Sequence, residues 1–198
     1  NFTPPAATTS AQVGAGAMTL IKSIDSDGSD ATIDFVDGAS SVVLDNTYKT
    51  YIFKLINIHP EDDNALLTFQ GSTDTGSSYG VTMTSTAFYA YHNEGDGTTT
   101  LSYTTDDLAQ STDFFKFVGA TGNGNDECSS GELWLFNPSS TTFEKHFLSR
   151  NNYYYGGDFS IERITGGYFN TTSAVDAIQF KYSDGEIQGG TIKLYGIA

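Results

Sequence analysis

Apolar side chains alternate with polar ones in about a dozen short segments of this chain, and turn-forming residues separate the segments. The clearest segment, Tyr48–Ile58, has apolar side chains on both of its faces, which is typical of a strand in the middle of a sheet. Glu132–Asn137 places two leucines opposite Trp134 and Phe136 in the same way. No segment keeps a convincing 3.6-residue period. The pattern predicts an all-β fold, a two-sheet antiparallel β-sandwich of jelly-roll type.

The predicted strands cover most of the chain after its first residues. Residues 1–17, rich in Pro, Ala, Thr and Gly, predict an extended arm or linker, and residues 18–198 predict a single β-sandwich domain. One helical turn is expected at Thr105–Gln110, where a Thr can act as the cap. The expected strands are Met18–Asp25, Ala31–Val36, Tyr48–Ile58, Leu66–Gln70, Val81–His92, Thr99–Thr104, Phe114–Val118, Glu132–Asn137, Thr142–Ser149, Phe159–Ile164, Ala177–Ser183 and Gly190–Ile197.

The chain is strongly acidic, with 24 Asp and Glu against 9 Lys and Arg, which gives a net charge of −15. Nucleic-acid binding requires clustered Lys and Arg, so we expect no nucleic-acid partner. The same charge disfavours docking on anionic membranes, and no apolar run reaches the roughly 18 residues that a membrane-spanning helix needs. The single cysteine, Cys128, rules out a disulfide framework within the chain and a multi-cysteine zinc site.

Three carboxylates in one turn are the first candidate for a metal site. Asp25, Asp27 and Asp30 in the stretch DSDGSD resemble the alternating carboxylates of calcium loops. The EF-hand pattern is not met, because Val36 occupies the position of the bidentate Glu. An Asp-Gly turn without any metal explains the same residues and is favoured over calcium, so we expect no cofactor, with calcium as the alternative.

Motifs for catalysis are few. The chain contains neither a G-x-S-x-G elbow nor an H-E-x-x-H pair. Cys128 follows Glu127, and an acidic neighbour raises the pKa of a thiol and weakens it as a nucleophile. His59 and His92 each end a predicted strand beside acidic residues, which leaves a shared metal site as a weaker alternative. We expect a protein that is not an enzyme, although a glycosidase needs only two facing carboxylates.

Two tyrosine-rich clusters are the best candidates for a binding surface. Successive strand residues point to opposite sides, so at least one ring of the three adjacent tyrosines should be exposed. Tyr beside Asn and Asp suits the recognition of sugars and of rigid protein surfaces, because a flat ring is combined with hydrogen-bonding groups. The alternative is that these rings pack at the rim of the sandwich. The candidate binding residues are Tyr89, Tyr91, Asn151, Asn152, Tyr153, Tyr154 and Tyr155.

Several stretches of the chain resemble virion proteins of marine tailed phages, cyanophages in particular. They are IFKLINIHPEDDNALLTFQ, MTSTAFYAYHNEGD, NDECSSGELWLFNPSSTTFEKHF, GGYFNTTSAVDAIQF and GTIKLYGIA, which together cover most of residues 48–198. The resemblance implies a virion structural protein on the extracellular phage particle, used as a tail-fibre or receptor-binding module. Its implied partners are other virion proteins, further copies of itself, with a trimer favoured, and a host surface glycan.

Three alternatives stay open. A capsid decoration protein would grip the phage head through its N-terminal arm and one sheet face. A carbohydrate-binding module of an extracellular bacterial protein would be a monomer with an aromatic cleft, whereas a virion protein would form a symmetric oligomer. A polysaccharide depolymerase would need a pair of facing carboxylates in a groove.

Overall fold

The computed structural model of the protein describes residues 17–198, which form twelve β-strands and no helix. The prediction of an all-β fold is confirmed. The predicted arm at residues 1–17 lies outside the described residues except for Ala17. The strands are β1 (Met18–Asp25), β2 (Ile33–Val36), β3 (Thr50–Pro60), β4 (Ala65–Ser72), β5 (Met83–Asn93), β6 (Thr99–Tyr103), β7 (Phe115–Thr121), β8 (Ser129–Phe136), β9 (Lys145–Tyr155), β10 (Phe159–Phe169), β11 (Ala177–Tyr182) and β12 (Ile187–Ile197).

The strands form two antiparallel sheets of unequal width. The larger sheet has eight strands in the order β1-β12-β3-β8-β9-β10-β5-β6, and the smaller has four in the order β2-β11-β4-β7. Buried side chains from the two sheets face each other and form the core, which confirms the predicted β-sandwich. Within the described residues, no helix is long and apolar enough to cross a membrane.

Eight of the strands pair like one long hairpin that is folded over on itself. The outermost pair is β1 with β12, and the pairs β2 with β11, β3 with β8 and β4 with β7 lie inside it in turn. Successive pairs alternate between the larger and the smaller sheet, so the hairpin wraps around the core. The other four strands, β5, β6, β9 and β10, all join the larger sheet and extend it on one side.

Phenylalanine rings fill the space between the sheets. The ring centroid of Phe69 on β4 lies 5.1 Å from those of Phe117 and Phe147 and 5.7 Å from that of Phe115. These rings meet edge to face, an arrangement that aromatic pairs prefer. Phe147 belongs to the larger sheet and the other three rings to the smaller one, so these contacts join the two layers.

Observed strands differ from the predicted ones mainly at their ends. The bounds of β1 agree at both ends, whereas β9, predicted as Thr142–Ser149, continues to Tyr155. Its last residues pair with strands on both sides, since Tyr153 lies opposite Ser129 and opposite Ile161. Asn and repeated Tyr do not alternate in polarity, so this extension depends on neighbouring strands rather than on a local pattern.

The helical turn predicted at Thr105–Gln110 is wrong. Backbone groups of this segment bond to β5 instead: the N–H of Ser85 donates to the carbonyl of Leu108 at 2.9 Å. Ser111 then forms a bridge with Met83. Because β5 occupies these backbone groups, they do not form the hydrogen bonds of a helix, and Asp106 is held beside the larger sheet.

The difference in width leaves part of the larger sheet's inner face open. The smaller sheet ends at β7, which packs on β9 and β10. Past these two strands, β5 and β6 continue the larger sheet. Inward-facing side chains of β5, β9 and β10 therefore border a cleft instead of a closed core.

Replacing Phe69 with Ala tests the centre of the core. The change removes the ring that contacts both layers, so it is expected to lower the free energy of unfolding by about 3–5 kcal/mol. The control Phe143→Ala removes a ring that is 70% exposed and should change that free energy by less than about 0.5 kcal/mol. Guanidinium unfolding followed by circular dichroism measures the free energy of unfolding of both variants. Similarly small changes in Phe69→Ala and Phe143→Ala would contradict a core centred on Phe69.

Candidate functional site

A cleft of about 390 Å³ lies between β7 of the smaller sheet and strands β5, β9 and β10 of the larger one. Its volume falls in the range of pockets that hold small organic ligands. Four aromatic rings form most of one wall, and a partly buried ion pair lies beside them. Because the cleft combines apolar surface with a few convergent polar groups, it is the candidate functional site.

The aromatic wall consists of Tyr89, Tyr91, Tyr155 and Phe159. Tyr89 and Tyr91 follow each other on the inward side of β5, and their rings stack at 6.1 Å with an angle of 14° between planes. Phe159 meets Tyr91 edge to face at 5.3 Å and lies 5.8 Å from Tyr155. The wall thus offers flat apolar surfaces with phenol groups at their edges, which suits ligands that are partly apolar and partly hydroxylated.

A partly buried ion pair supplies the polar groups of the cleft. Arg163 on β10 is 2% exposed, and its guanidinium donates to Asp106 Oδ2 at 3.0 Å and to Thr104 Oγ1 at 3.2 Å. Lys116 Nζ lies 3.9 Å from the other carboxylate oxygen of Asp106. Two cations therefore hold this carboxylate in place, and its partly exposed oxygens can accept hydrogen bonds from a ligand.

Tyr153 closes the inner end of the cleft against β7. Its side chain is 5% exposed, and a Cβ atom at Gly119 would come within 2.0 Å of its hydroxyl oxygen. Only glycine leaves space for the ring at this position. Burial of the phenol raises the pKa of Tyr153 to about 12.

The seven candidate binding residues do not all meet at this cleft. Tyr89, Tyr91, Tyr153 and Tyr155 line it, as four of the predicted residues. Alternation along β9 sends Asn152 and Tyr154 to the opposite side of the sheet, as expected for successive strand residues, so they do not share the cleft. The three residues outside the cleft bond elsewhere: Asn151, which is buried, to Ser149, Asn152 to Ser160, and Tyr154 to Asp158.

The candidate calcium turn does not gather its carboxylates. Asp25 accepts a hydrogen bond from Thr191, Asp27 accepts from Ser29, and Asp30 accepts from the backbone N–H of Asp27. Across residues 17–198, no group of three or more His, Cys, Asp or Glu side chains is arranged to hold a metal ion. The hydrogen bonds within this segment are those of an Asp-Gly turn, the interpretation favoured from the sequence.

The histidines and the cysteine also lie apart from the cleft. His59 Nδ1 lies 2.6 Å from the carbonyl oxygen of Glu127, and His92 Nε2 lies 3.0 Å from Asp96 Oδ1. The two rings thus have separate local partners and share no metal site in the described part of the chain. Partial burial raises the pKa of the Cys128 thiol, the direction expected from the sequence but with a different main cause.

Three of the cleft residues on which its chemistry depends were absent from the candidates predicted from the sequence: Phe159, Asp106 and Arg163. Arg163 carries a usable signal, because it follows Phe159 and Ile161 on the side of its strand that points to the core. A charged residue at such a position needs a buried partner. Nothing in the local sequence identifies Asp106 as that partner, since the segment around it resembles a helical turn.

No family model, no curated protein and no solved structure matches this chain.

Removing the charge of Asp106 should destabilise the protein. The substitution Asp106→Asn leaves Arg163 buried without an anionic partner, so the free energy of unfolding is expected to fall by about 2 kcal/mol, less than for a fully buried pair. Asp107→Asn, at the partly exposed neighbouring residue that accepts a hydrogen bond from the Tyr103 hydroxyl, is the matched control and should change it by less than about 0.5 kcal/mol. Urea unfolding at neutral pH compares the two, and equal stability of both variants would argue against a structural ion pair.

Tyr153 should make the protein sensitive to alkali. Its folded-state pKa of about 12 exceeds the ordinary value of 10.0, so its contribution to stability is complete below pH 10 and is lost as the pH rises towards 12. Between these values the wild type should lose up to about 3 kcal/mol more than Tyr153→Phe. Urea unfolding of both proteins at several pH values measures the difference. An equal loss of unfolding free energy with rising pH in the two proteins would show that the phenol is not buried.

Proposed function

We propose that this protein is a non-enzymatic sugar-binding module, displayed on a phage particle as a tail-fibre or receptor-binding protein that contacts a host surface glycan. The observation that carries the proposal is the aromatic wall beside the Asp106 carboxylate. The apolar C–H face of a sugar ring packs on aromatic rings, while its hydroxyl groups donate to carboxylate oxygens and accept from donors such as phenols.

Charge favours a neutral glycan over an acidic one. Arg163 is the one cation among the described residues that line the cleft, and it is paired with Asp106; Lys116, outside the lining, lies beside the same carboxylate. The chain as a whole has a net charge of −15, which repels polyanions.

Binding is better supported than hydrolysis. Among the described residues that line the cleft, Asp106 is the only acidic one, and it is already held by Arg163. Most glycosidases place two carboxyl groups about 5–10 Å apart across the sugar. A single, paired carboxylate supports a role in recognition.

The strand order supports a place on the virion. The nested pairs β1–β12, β2–β11, β3–β8 and β4–β7 are compatible with a jelly roll to which β5, β6, β9 and β10 are added. Jelly rolls are frequent in viral capsid proteins and in lectins. The resemblance of residues 48–198 to virion proteins of marine tailed phages points the same way.

Capsid decoration is the second candidate function. One observation favours it: the outward face of the larger sheet exposes many apolar side chains, which could grip a protein shell. If the protein decorates a capsid in this way, the cleft would lie on the side of the larger sheet that faces away from the shell.

Substitution of the wall tyrosines tests the proposed sugar site. Tyr91→Ala and Tyr155→Ala each remove one ring of the aromatic wall and should weaken glycan binding about 10-fold or more. Tyr154→Ala is the matched control, because its ring lies next to Tyr155 in sequence but on the other side of the sheet. Biolayer interferometry on immobilised surface polysaccharide from marine cyanobacteria provides the measurement.

The outcomes separate the candidate functions. Loss of binding in the two cleft variants, with Tyr154→Ala unchanged, is the result the sugar site predicts. Equal losses in all three variants would point to general destabilisation, and circular dichroism of each variant checks for it. Failure of the wild type to bind any of these polysaccharides, together with binding to phage heads, would favour capsid decoration.

A further inference from the structure

The outward face of the larger sheet carries most of the exposed apolar side chains in the described part of the chain. Ten large hydrophobic side chains are exposed among residues 17–198, and eight of these ten point outward from the larger sheet. An outer sheet face in water normally carries polar side chains. The eight are Met18 and Leu20 on β1, Ile56 on β3, Phe88 on β5, Leu101 and Tyr103 on β6, Leu148 on β9 and Ile164 on β10.

Strand register joins these side chains into one band across the sheet, here called the outward band. Directly opposite residues of paired strands lie on the same side and touch, and diagonal neighbours are within reach of large side chains. The band therefore includes apolar side chains from all eight strands. From one edge to the other it runs through Leu20, Tyr195, Ile52, Trp134, Leu148, Ile164, Phe88 and Tyr103, of which Ile52 is covered by its neighbours and only 1% exposed.

Grooves beside the outward band leave room for side chains of a partner. One groove of about 550 Å³ runs along Phe136, Leu148 and Tyr168, and Gly166 leaves it open because it has no side chain. A second, of about 440 Å³, lies between Trp134 and Ile164. Leu148 stands between the two grooves, so the surface has both projections and hollows.

Charge distinguishes this face from the rest of the protein. Its outward strand residues include three basic side chains, Lys54, Arg150 and Lys193, and three acidic ones, Asp25, Glu132 and Glu162. Four of them form the ion pairs Lys54–Glu132 and Arg150–Glu162. The charges on this face cancel, so the net charge of −15 belongs to the remainder of the chain.

These observations identify a second copy of the chain as the partner. Copies with a net charge of −15 repel each other, and the repulsion is smallest where their neutral faces meet. Eight strands at about 4.8 Å give a face about 38 Å wide, and a depth of about 20 Å makes its area about 800 Å², as one side of a standard interface requires. We infer that the protein is a homo-oligomer whose copies pack together through the outward band.

This inference does not rest on the proposed function, because the cleft opens on the inner side of the same sheet. It concerns only the outward side. A monomer could bind a glycan in the cleft, and an oligomer could form without any sugar.

Sedimentation velocity of the full chain tests the inference. Over about 0.1 to 100 µM the wild type should sediment as an oligomer or as a concentration-dependent equilibrium. Leu148→Glu and Leu101→Glu each place an unpaired charge in the outward band and should raise the dissociation constant about 100-fold. Phe143→Glu makes the same change at an exposed ring in the loop before β9 and should leave association unchanged.

Trp134 gives an independent readout within the same samples. It is the single tryptophan of the chain and lies in the middle of the outward band, so burial in an interface should shift its emission to shorter wavelength as concentration rises. A sugar bound in the cleft should leave that emission unchanged, which separates the two proposals.

A wild type that stays monomeric over the whole range would overturn the inference and indicate that a different protein covers the face. An oligomer that both band variants leave intact would overturn it as well, because assembly would then use another surface. The number of copies in the assembly also tests the trimer that the resemblance implies.

Discussion

The unequal width of the two sheets is the constraint on which the rest of the structure depends. A sheet face is fully buried only where another layer covers it, and the four strands of the smaller sheet cannot cover all eight of the larger. Under the smaller sheet the core is made of Phe rings such as Phe69 and Phe147. At its edge the rings change to Tyr89, Tyr91 and Tyr155, whose hydroxyl groups tolerate water. The cleft is thus the place where the core becomes open to solvent.

The pleat of the larger sheet gives its two sides different chemistry. On β9, Tyr153 and Tyr155 point towards the cleft, while Leu148 and Arg150 point outward. The inner side combines phenols with one partly buried ion pair and suits a hydroxylated ligand. The outer side combines aliphatic and aromatic side chains with exposed, balanced ion pairs and suits a protein surface. One strand therefore contributes to both proposed interactions, and multiple copies would present several sugar sites together, which raises overall avidity.

Local patterns in the sequence were sufficient to place each strand, but they did not define all strand ends or the site. Alternating polarity predicts β1 with its observed bounds, because the alternation along a single strand determines which face of the sheet each side chain lies on. Tyr89 and Tyr91 were likewise recognisable as a cluster. Arg163 and Asp106 were not, because the contact between them joins segments 57 residues apart and exists only once β10 and the segment after β6 are in place. In the candidate calcium turn, the carboxylates of Asp27 and Asp30 accept hydrogen bonds from residues of the turn itself.

A crystal structure of the protein with a bound oligosaccharide would test the central claim most directly. Crystals soaked with a neutral oligosaccharide released from marine cyanobacterial surface polysaccharide should show a sugar ring against Tyr89 and Tyr91, with a hydroxyl group within hydrogen-bond distance of Asp106. Such a complex would confirm that the open edge between unequal sheets is a binding site. An oligosaccharide ordered on another surface, with the cleft containing only water, would contradict it.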